Sequence, residues 1–192
     1  MTKLSEAKIL GILGLVIMLL GGVFAGIGMI VGLVLVFIAV KFISEETKDK
    51  TIFDNYLMHF VFVVLAVIAV VVIFFASIGG FSLTFFEALE GMEFNSFEAV
   101  WNFFSPYIVW WTIALSIGYV FIIISALYLK KSYYSIAEKT NVHLFRTTGF
   151  VYFIGAVTLI IIVGIFVLVI AKILEIIAFA FLPEKLQSKS KK

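Results

Sequence analysis

Residues 9–42 read ILGILGLVIMLLGGVFAGIGMIVGLVLVFIAVKF and contain one charged residue, Lys41. A second stretch of this kind, Gly149 to Leu182, is interrupted only by Lys172 and Glu175. Each stretch holds about 34 residues, so a single helix would be roughly 50 Å long at about 1.5 Å per residue. The hydrocarbon core of a bilayer is about 30 Å thick and takes about 20 helical residues. Each stretch is therefore too long for one span and short for two, which predicts a compact helical hairpin.

The composition indicates a membrane protein. Hydrophobic residues make up 64% of the chain and charged residues 14%, against about 45–50% and 25% in soluble domains. The net charge of +2 is too small to indicate nucleic-acid binding. The chain has no cysteine, which excludes disulfides, Cys-based zinc sites and thiol chemistry. With 192 residues, we expect a single transmembrane domain over residues 1–192.

Four apolar blocks predict six helices. The first block bends at its central glycines, Gly22 and Gly26, and the last block bends near Gly164, because glycine turns at little steric cost. The two middle blocks supply one span each, the second opening with Pro106 in its first turn. The predicted class is an all-α, polytopic transmembrane helical bundle of three hairpins. Its helices cover about 8–22, 26–43, 54–78, 106–131, 146–162 and 164–182. Because the apolar run of the first hairpin continues without pause, we expect it to remain as a membrane anchor.

The distribution of charge assigns the two sides of the membrane. All but one of the 14 Lys and Arg residues lie in segments 1–8, 41–54, 130–146 and 183–192. Loop 79–105 has no Lys or Arg but carries several Glu residues. With six helices every basic segment falls on one side, as the positive-inside rule requires, whereas four helices would put both basic termini outside. We expect cytoplasmic termini, an extracytoplasmic loop 79–105 and a multi-pass location in the plasma (cytoplasmic) membrane.

Lys172 and Glu175 are the strongest candidates for a polar site. They lie three residues apart, so their side chains share one face of a helix and can meet. Lys172 precedes Pro183 by about ten residues, roughly 15 Å along a helix, which predicts a position near the membrane midplane. Ionisable residues at that depth are costly and often mark ion or substrate paths. A transport path and a self-neutralising structural pair both fit this pattern.

Glycines in the first hairpin predict close helix packing. Gly28-x-x-x-Gly32 has the spacing that lets two membrane helices approach, and we expect the two glycines to lie at a helix contact. Gly22-x-x-x-Gly26 has the same spacing but straddles the proposed turn, where it serves the bend. The spacing fits a contact between two helices of the same chain and a contact with a second copy of the chain.

The outer loop carries two capping-box patterns, Thr84-x-x-Glu87 and Asn95-x-x-Glu98, which predict two short helices. Apolar residues recur at helical spacing in the second one and aromatic residues follow at the start of the next span. Together they predict an aromatic belt at the outer membrane interface, or a surface for a partner. The residues of this belt are Phe97, Trp101, Phe104, Trp110 and Trp111.

The sequence gives no sign of catalysis. His59 and His143 lie far apart, without HExxH or HxxxH spacing, so no metal site is predicted. Neither histidine has an evident nucleophile partner of the Ser/His/Asp type. We therefore expect no catalytic residues, no cofactor and no enzymatic activity.

Short motifs are spread over most of the chain. They are Ala7-Lys8-x-Leu10-Gly11-x-Leu13-Gly14, Val40-Lys41-x-Ile43-Ser44-Glu45-Glu46, Ile52-Phe53-Asp54-Asn55, Ala137-Glu138-Lys139-Thr140-Asn141-Val142, Leu144-Phe145-Arg146-Thr147-Thr148-Gly149, Gly155, Gly164 and Ala178-Phe179. Together they resemble the family of uncharacterised, largely archaeal integral membrane proteins known as domain of unknown function 996. The resemblance implies the fold and a membrane location, but no activity. The lack of cysteine and the single glutamine suit an archaeal source. Loop 79–105 and Lys172 fall outside the family pattern, which argues against transport at Lys172.

Two functional hypotheses follow. The first is an integral membrane protein of non-enzymatic role that acts by binding, scaffolding or assembly. The alternative is a small transporter or channel component that uses the region of Lys172 and Glu175. The expected partners are the lipid bilayer and either another protein or further copies of the chain, but no nucleic acid.

Because the chain lacks cysteine, single cysteines placed at Ser5, Ser96 and Ser190 are visible against a silent background. Six helices predict that a membrane-impermeant thiol reagent added outside the cell labels only the cysteine at position 96. Labelling at positions 5 and 190 from outside would support four helices instead.

Overall fold

A computed structural model describes residues 2–20, 27–77, 79, 87, 89–91 and 96–186. The described chain is all-helical and contains six helices, as the sequence predicted. They are α1 (Lys3–Leu20), α2 (Ile27–Thr47), α3 (Lys50–Ser77), α4 (Phe97–Thr140), α5 (Leu144–Val157) and α6 (Val163–Ala180). Gly22 and Gly26, the predicted first bend, lie outside the described residues, as do Thr84 and Asn95.

Four helical segments of the described chain are long and apolar enough to cross a membrane. They are Lys50–Ser77, Phe97–Thr140, Leu144–Ile161 and Val163–Ala180. Helix α1 begins with Lys3, Glu6 and Lys8.

Helix α4 differs most from the prediction. It has 44 residues, about 66 Å at 1.5 Å per residue, roughly twice the thickness of a bilayer core. The Ser96 hydroxyl accepts a hydrogen bond from the Ala99 backbone N–H and so caps the helix start. The short helix expected after residue 95 is therefore the first part of α4. Pro106 lies inside the helix and not in its first turn, so that expectation was wrong; apolar helices tolerate an internal proline when neighbouring groups satisfy the freed carbonyl.

The chain forms two compact units. Unit 1 comprises Met1–Phe60 and Ile123–Lys192, and unit 2 comprises Val61–Ile122. The expectation of a single domain stays a prediction. In unit 2, Trp111 stacks on Phe74 with ring centroids 5.2 Å apart and donates its indole N–H to the Ser77 hydroxyl at 3.1 Å.

Polar contacts gather the basic segments at one end of unit 1. Lys3 Nζ lies 2.6 Å from Glu45 Oε2, which joins the start of α1 to the end of α2. Lys139 Nζ lies 3.5 Å from Asp49 Oδ2, which joins the end of α4 to the turn between α2 and α3. The Thr2 hydroxyl donates to the Glu184 carbonyl beyond α6. We call this end of unit 1 the basic end.

Electrostatics reinforce these contacts. The hydrogen bond from Lys3 lowers the pKa of Glu45, and the same bond raises the pKa of Lys3. The pKa of Asp49 is lowered, chiefly by the hydrogen bond from the Thr51 hydroxyl, with a further contribution from Lys139. The contacts of the basic end therefore favour the charged forms of these carboxylates.

Helices α1 and α2 pack closely because glycine faces glycine. A Cβ placed on Gly32 would lie 2.3 Å from the Gly14 carbonyl oxygen, and one on Gly14 would lie 2.6 Å from the Gly32 carbonyl oxygen. No larger residue fits between the two backbones. On the neighbouring turn of α1, Gly11 admits the Phe179 ring of α6. Gly28 lies in the first turn of α2.

Helices α5 and α6 form a hairpin through a short 3₁₀ turn at Thr158–Ile161. The turn ends at Ile162, whose φ of 65° and ψ of −34° are strained for a β-branched residue. Its backbone groups are paired, since Ile162 N–H donates to Leu159 and Ile165 N–H donates to Ile162. Gly164 lies two residues after Ile162, and a Cβ there would lie 2.4 Å from the Gly155 carbonyl oxygen. The absence of a side chain at both glycines lets the two helices cross closely.

Candidate functional site

Lys172 and Glu175 form an ion pair on α6. Lys172 Nζ lies 2.8 Å from Glu175 Oε2. The side chain of Glu175 is 1% exposed, whereas that of Lys172 is 22% exposed. The carboxylate therefore points into unit 1 and the ammonium group lies at its edge. Burying a carboxylate is costly unless hydrogen-bond donors occupy its oxygens.

Tyr133 of α4 supplies the second donor. Its hydroxyl donates to Glu175 Oε1, so both carboxylate oxygens have a partner from the protein. Tyr133 can reach Glu175 because α4 and α5 pack closely at Gly149. A Cβ on Gly149 would lie 3.1 Å from Lys130 Cα and 3.2 Å from Tyr133 Cβ. Ring contacts to Phe145, at 5.5 Å between centroids, hold the buried Tyr133 ring in place.

Aromatic rings surround the pair on its other sides. Lys172 Nζ lies 5.4 Å from the ring centroid of Tyr152, within the range of a cation–π contact. Tyr56 of α3 stacks on Tyr133 with a centroid distance of 6.4 Å. Residues of α3, α4, α5 and α6 thereby gather around the ion pair of Lys172 and Glu175.

A second polar contact lies beside this group. His59 of α3 meets the Tyr152 ring edge to face at 5.8 Å. His59 Nδ1 lies 2.6 Å from Ser125 Oγ, and Ser125 Oγ lies 3.1 Å from the His59 carbonyl oxygen. Tyr152 thus contacts one member of each polar pair, Lys172 of the ion pair and His59 of the pair with Ser125. We call the whole set the polar cluster; it comprises Tyr56, His59, Ser125, Tyr133, Tyr152, Lys172 and Glu175.

The buried polar atoms of the cluster are hydrogen-bonded. Among the described residues, every buried side-chain nitrogen or oxygen has a hydrogen-bond partner. In the same part of the chain no three His, Asp or Glu side chains gather in a way that could hold a metal ion. What the cluster does chemically is neutralise a buried charge and fix the positions of α3, α4, α5 and α6.

The contact with Tyr133 places the ion pair beside the lysines of α4, and its depth in a membrane stays a prediction. Glu175 bonds to Tyr133, and Tyr133 follows Lys130 and Lys131 by only two or three residues in α4. Helix α6 ends at Ala180, so Glu175 lies about 8 Å from its end at 1.5 Å per residue. The cluster is therefore at the level of these lysines.

The sequence singled out Lys172 and Glu175 but not their partners. Tyr133 is 42 residues from Glu175 in the chain, and His59 is 66 residues from Ser125. Tyrosine, serine and histidine within apolar helices were a weak signal, because each is compatible with a lipid interface as well as with a packed core. His59 had been noticed, but without any partner.

The other predicted site residues lie elsewhere. In unit 2, Phe97 stacks on Trp101 at 6.2 Å and Phe104 meets Trp111 at 5.8 Å. Trp110 is exposed. Their role as an outer aromatic belt stays a prediction, as do the roles of Gly28, Gly32 and Gly164.

Comparison with known proteins shows the family. Residues 28–173 match the family described as "Protein of unknown function (DUF996)". The chain is also 37% identical over 189 residues to the uncharacterized protein MJ1644 of Methanocaldococcus jannaschii, covering 98% of each chain. This chain belongs to the DUF996 family. No solved structure matches it.

Removing one member of the ion pair should be more harmful than removing both. We expect Lys172→Met to lower the free energy of unfolding by about 3–5 kcal/mol, because it leaves a buried carboxylate without its counter-ion. Tyr133→Phe should cost about 1.5–3 kcal/mol, the value of a hydrogen bond to a charged group. The double variant Lys172→Met/Glu175→Leu should recover most of the loss, as measured by unfolding in detergent micelles.

The matched control is the exposed pair Lys3 and Glu45, where Lys3→Met should change stability little. A Lys172→Met variant as stable as the wild type would contradict a stabilising role for the pair.

Proposed function

We propose that this protein is a multi-pass integral protein of the cytoplasmic membrane that acts without catalysis, in a binding, scaffolding or assembly role. One observation carries the proposal: both oxygens of the buried Glu175 carboxylate are occupied by donors from the protein itself. Each oxygen of this carboxylate already has a donor from the protein, and the side chain is 1% exposed, so an ion or substrate would have to enter the packed interior of unit 1 to reach it. Its contribution is to hold helices together.

The exposed surface supports the membrane location. Large apolar side chains lie open along the candidate spans, including Val67 and Val72 of α3, Leu115 of α4 and Phe166 of α6. Patches of this extent are costly in water but suited to lipid chains. The contacts of the basic end also suit the prediction that both termini share the cytoplasmic side, because Thr2 meets Glu184 there.

Transport is the second candidate, because the polar cluster is continuous. From Glu175 through Lys172 and Tyr152 to His59, each group contacts the next. Buried ionisable residues of this kind occur in proton relays. A proton relay requires the Glu175 carboxylate to exchange its hydrogen-bond partners. If the protein transports protons in this way, removal of the Lys172–Glu175 pair should abolish the proton flux.

Ion and proton flux in liposomes separates the two candidates. We expect proteoliposomes of the wild type to show no more proton or cation flux than protein-free liposomes, because the carboxylate is buried and both its oxygens are held by donors from the protein. The Lys172→Leu/Glu175→Leu variant should behave in the same way. Flux in the wild type that this variant abolishes would establish transport and contradict the proposal.

A separate experiment measures whether the protein is integrated in the membrane. The protein should stay in the membrane pellet after alkaline carbonate extraction, since its spans are held by the hydrocarbon core. Release into the supernatant would overturn the integral location whatever the flux assay shows.

A further inference from the structure

A surface pocket lies toward the basic end of unit 1, and none of its lining residues belongs to the polar cluster. Its volume is about 410 Å³, within the range of small-ligand sites. Asn55 of α3 forms one wall and a single face of α4 forms the other. The lining residues are Asn55, Leu127, Lys130, Lys131, Tyr134, Ser135 and Glu138.

Aromatic rings, and not carboxylates, hold the cations around this pocket. Lys130 Nζ lies 5.1–5.8 Å from the ring centroids of Phe153, Phe150 and Tyr134. Lys131 Nζ lies 5.1 Å from the ring of Tyr128. On the other side of the pocket wall, the Arg146 guanidinium lies 4.8 Å from the Tyr134 ring.

The positive charge here is not neutralised within the protein. In the part of the chain that the structure describes, the ion pairs are Lys3–Glu45, Lys139–Asp49 and Lys172–Glu175, so Lys130, Lys131 and Arg146 pair with no carboxylate. Glu138 is the one acid among the lining residues. Ring faces attract the cations without cancelling their charge, so the pocket retains excess positive charge for an anion.

We propose that this pocket binds the phosphate of an anionic membrane phospholipid. Lys130 and Lys131 supply the charge, and the hydroxyls of Tyr134 and Ser135 with the Asn55 amide supply neutral donors. The location favours a lipid over a soluble phosphate compound, because the exposed Leu127 continues the wall toward the apolar part of α4. Basic pockets between membrane helices bind lipid head groups in this way.

This inference rests on the membrane location proposed above. The lysines match that location, because ammonium groups that lie over aromatic rings beside the pocket keep their positive charge for an interfacial phosphate. If alkaline extraction released the protein, the location would fail, yet binding at the pocket would still be measurable on purified protein in detergent.

The test measures retained lipid by native mass spectrometry of the full-length protein in detergent. Phosphatidylglycerol and phosphatidylcholine are supplied at equal concentrations. The wild type should retain phosphatidylglycerol preferentially. Lys130→Gln/Lys131→Gln should weaken this preference by about fivefold for each lysine removed. Lys41→Gln, which removes an exposed lysine of α2, should leave the preference unchanged.

A second variant keeps the test decisive if the double variant fails to fold. Glu138→Gln removes the one carboxylate of the pocket, so it should strengthen the preference for phosphatidylglycerol. An unchanged preference in Glu138→Gln would overturn the proposal. An equal loss in Lys41→Gln and the double variant would also overturn it, since bulk charge alone would then explain binding. Displacement by equimolar glycerol 3-phosphate would assign the pocket to a soluble phosphate compound and reject the lipid.

Discussion

One buried carboxylate constrains how the helices of unit 1 pack. The Glu175 carboxylate is buried from water, and the Lys172 ammonium and the Tyr133 hydroxyl replace the hydrogen bonds that water would donate to it. Such a group is stable only if both donors are held in place. This constraint explains why α4 and α5 approach closely at Gly149, since the approach carries Tyr133 to the carboxylate. It also explains why bulky rings surround the pair, because they exclude water that would compete for it.

Glycines allow other helices of unit 1 to pack closely. Gly14 and Gly32 bring α1 against α2, and Gly155 and Gly164 bring α5 against α6. Gly11 lets Phe179 of α6 reach α1, and Phe179 in turn packs on Phe145 at 5.2 Å. Helix pairs of this kind gain their stability from van der Waals contact and not from the hydrophobic effect, which is weak between surfaces already in lipid. The described part of unit 1 is therefore held together by close backbone contacts at these glycines.

The sequence predicted the helices better than their ends, for a physical reason. Length, apolar content and the distribution of lysines were enough for six helices. Charged residues mark membrane boundaries in a sequence, so the lysines at 130 and 131 predict an end of α4 near residue 131. It continues to Thr140 because Ser132, Tyr133, Ile136 and Ala137 form a buried face within the polar segment. Packing against neighbouring helices, and not immersion in lipid, stabilises that part.

The candidate site was half predictable. Lys172 and Glu175 are neighbours on any helix, so spacing alone paired them. Tyr133 and Tyr152 come from other helices, and only the folded bundle brings them to the pair. The pocket at Lys130 and Lys131 was predictable to the same extent. The sequence shows the two lysines as topology signals, whereas two of the rings around Lys130, those of Phe150 and Phe153, come from α5. Composition predicts that a chain lies in a membrane, whereas its sites depend on which helices pack together.

The most direct test is the contact between Lys172 and Glu175 in lipid. Solid-state NMR on reconstituted protein, with ¹⁵N in lysine side chains and ¹³C in glutamate carboxyl groups, detects pairs in close contact. The account predicts a Lys172 Nζ–Glu175 Cδ correlation that Glu175→Gln, whose side-chain carbon is unlabelled, removes without affecting the one from Lys3 and Glu45. A wild-type spectrum with no correlation lost on that substitution would contradict the buried ion pair on which the account depends.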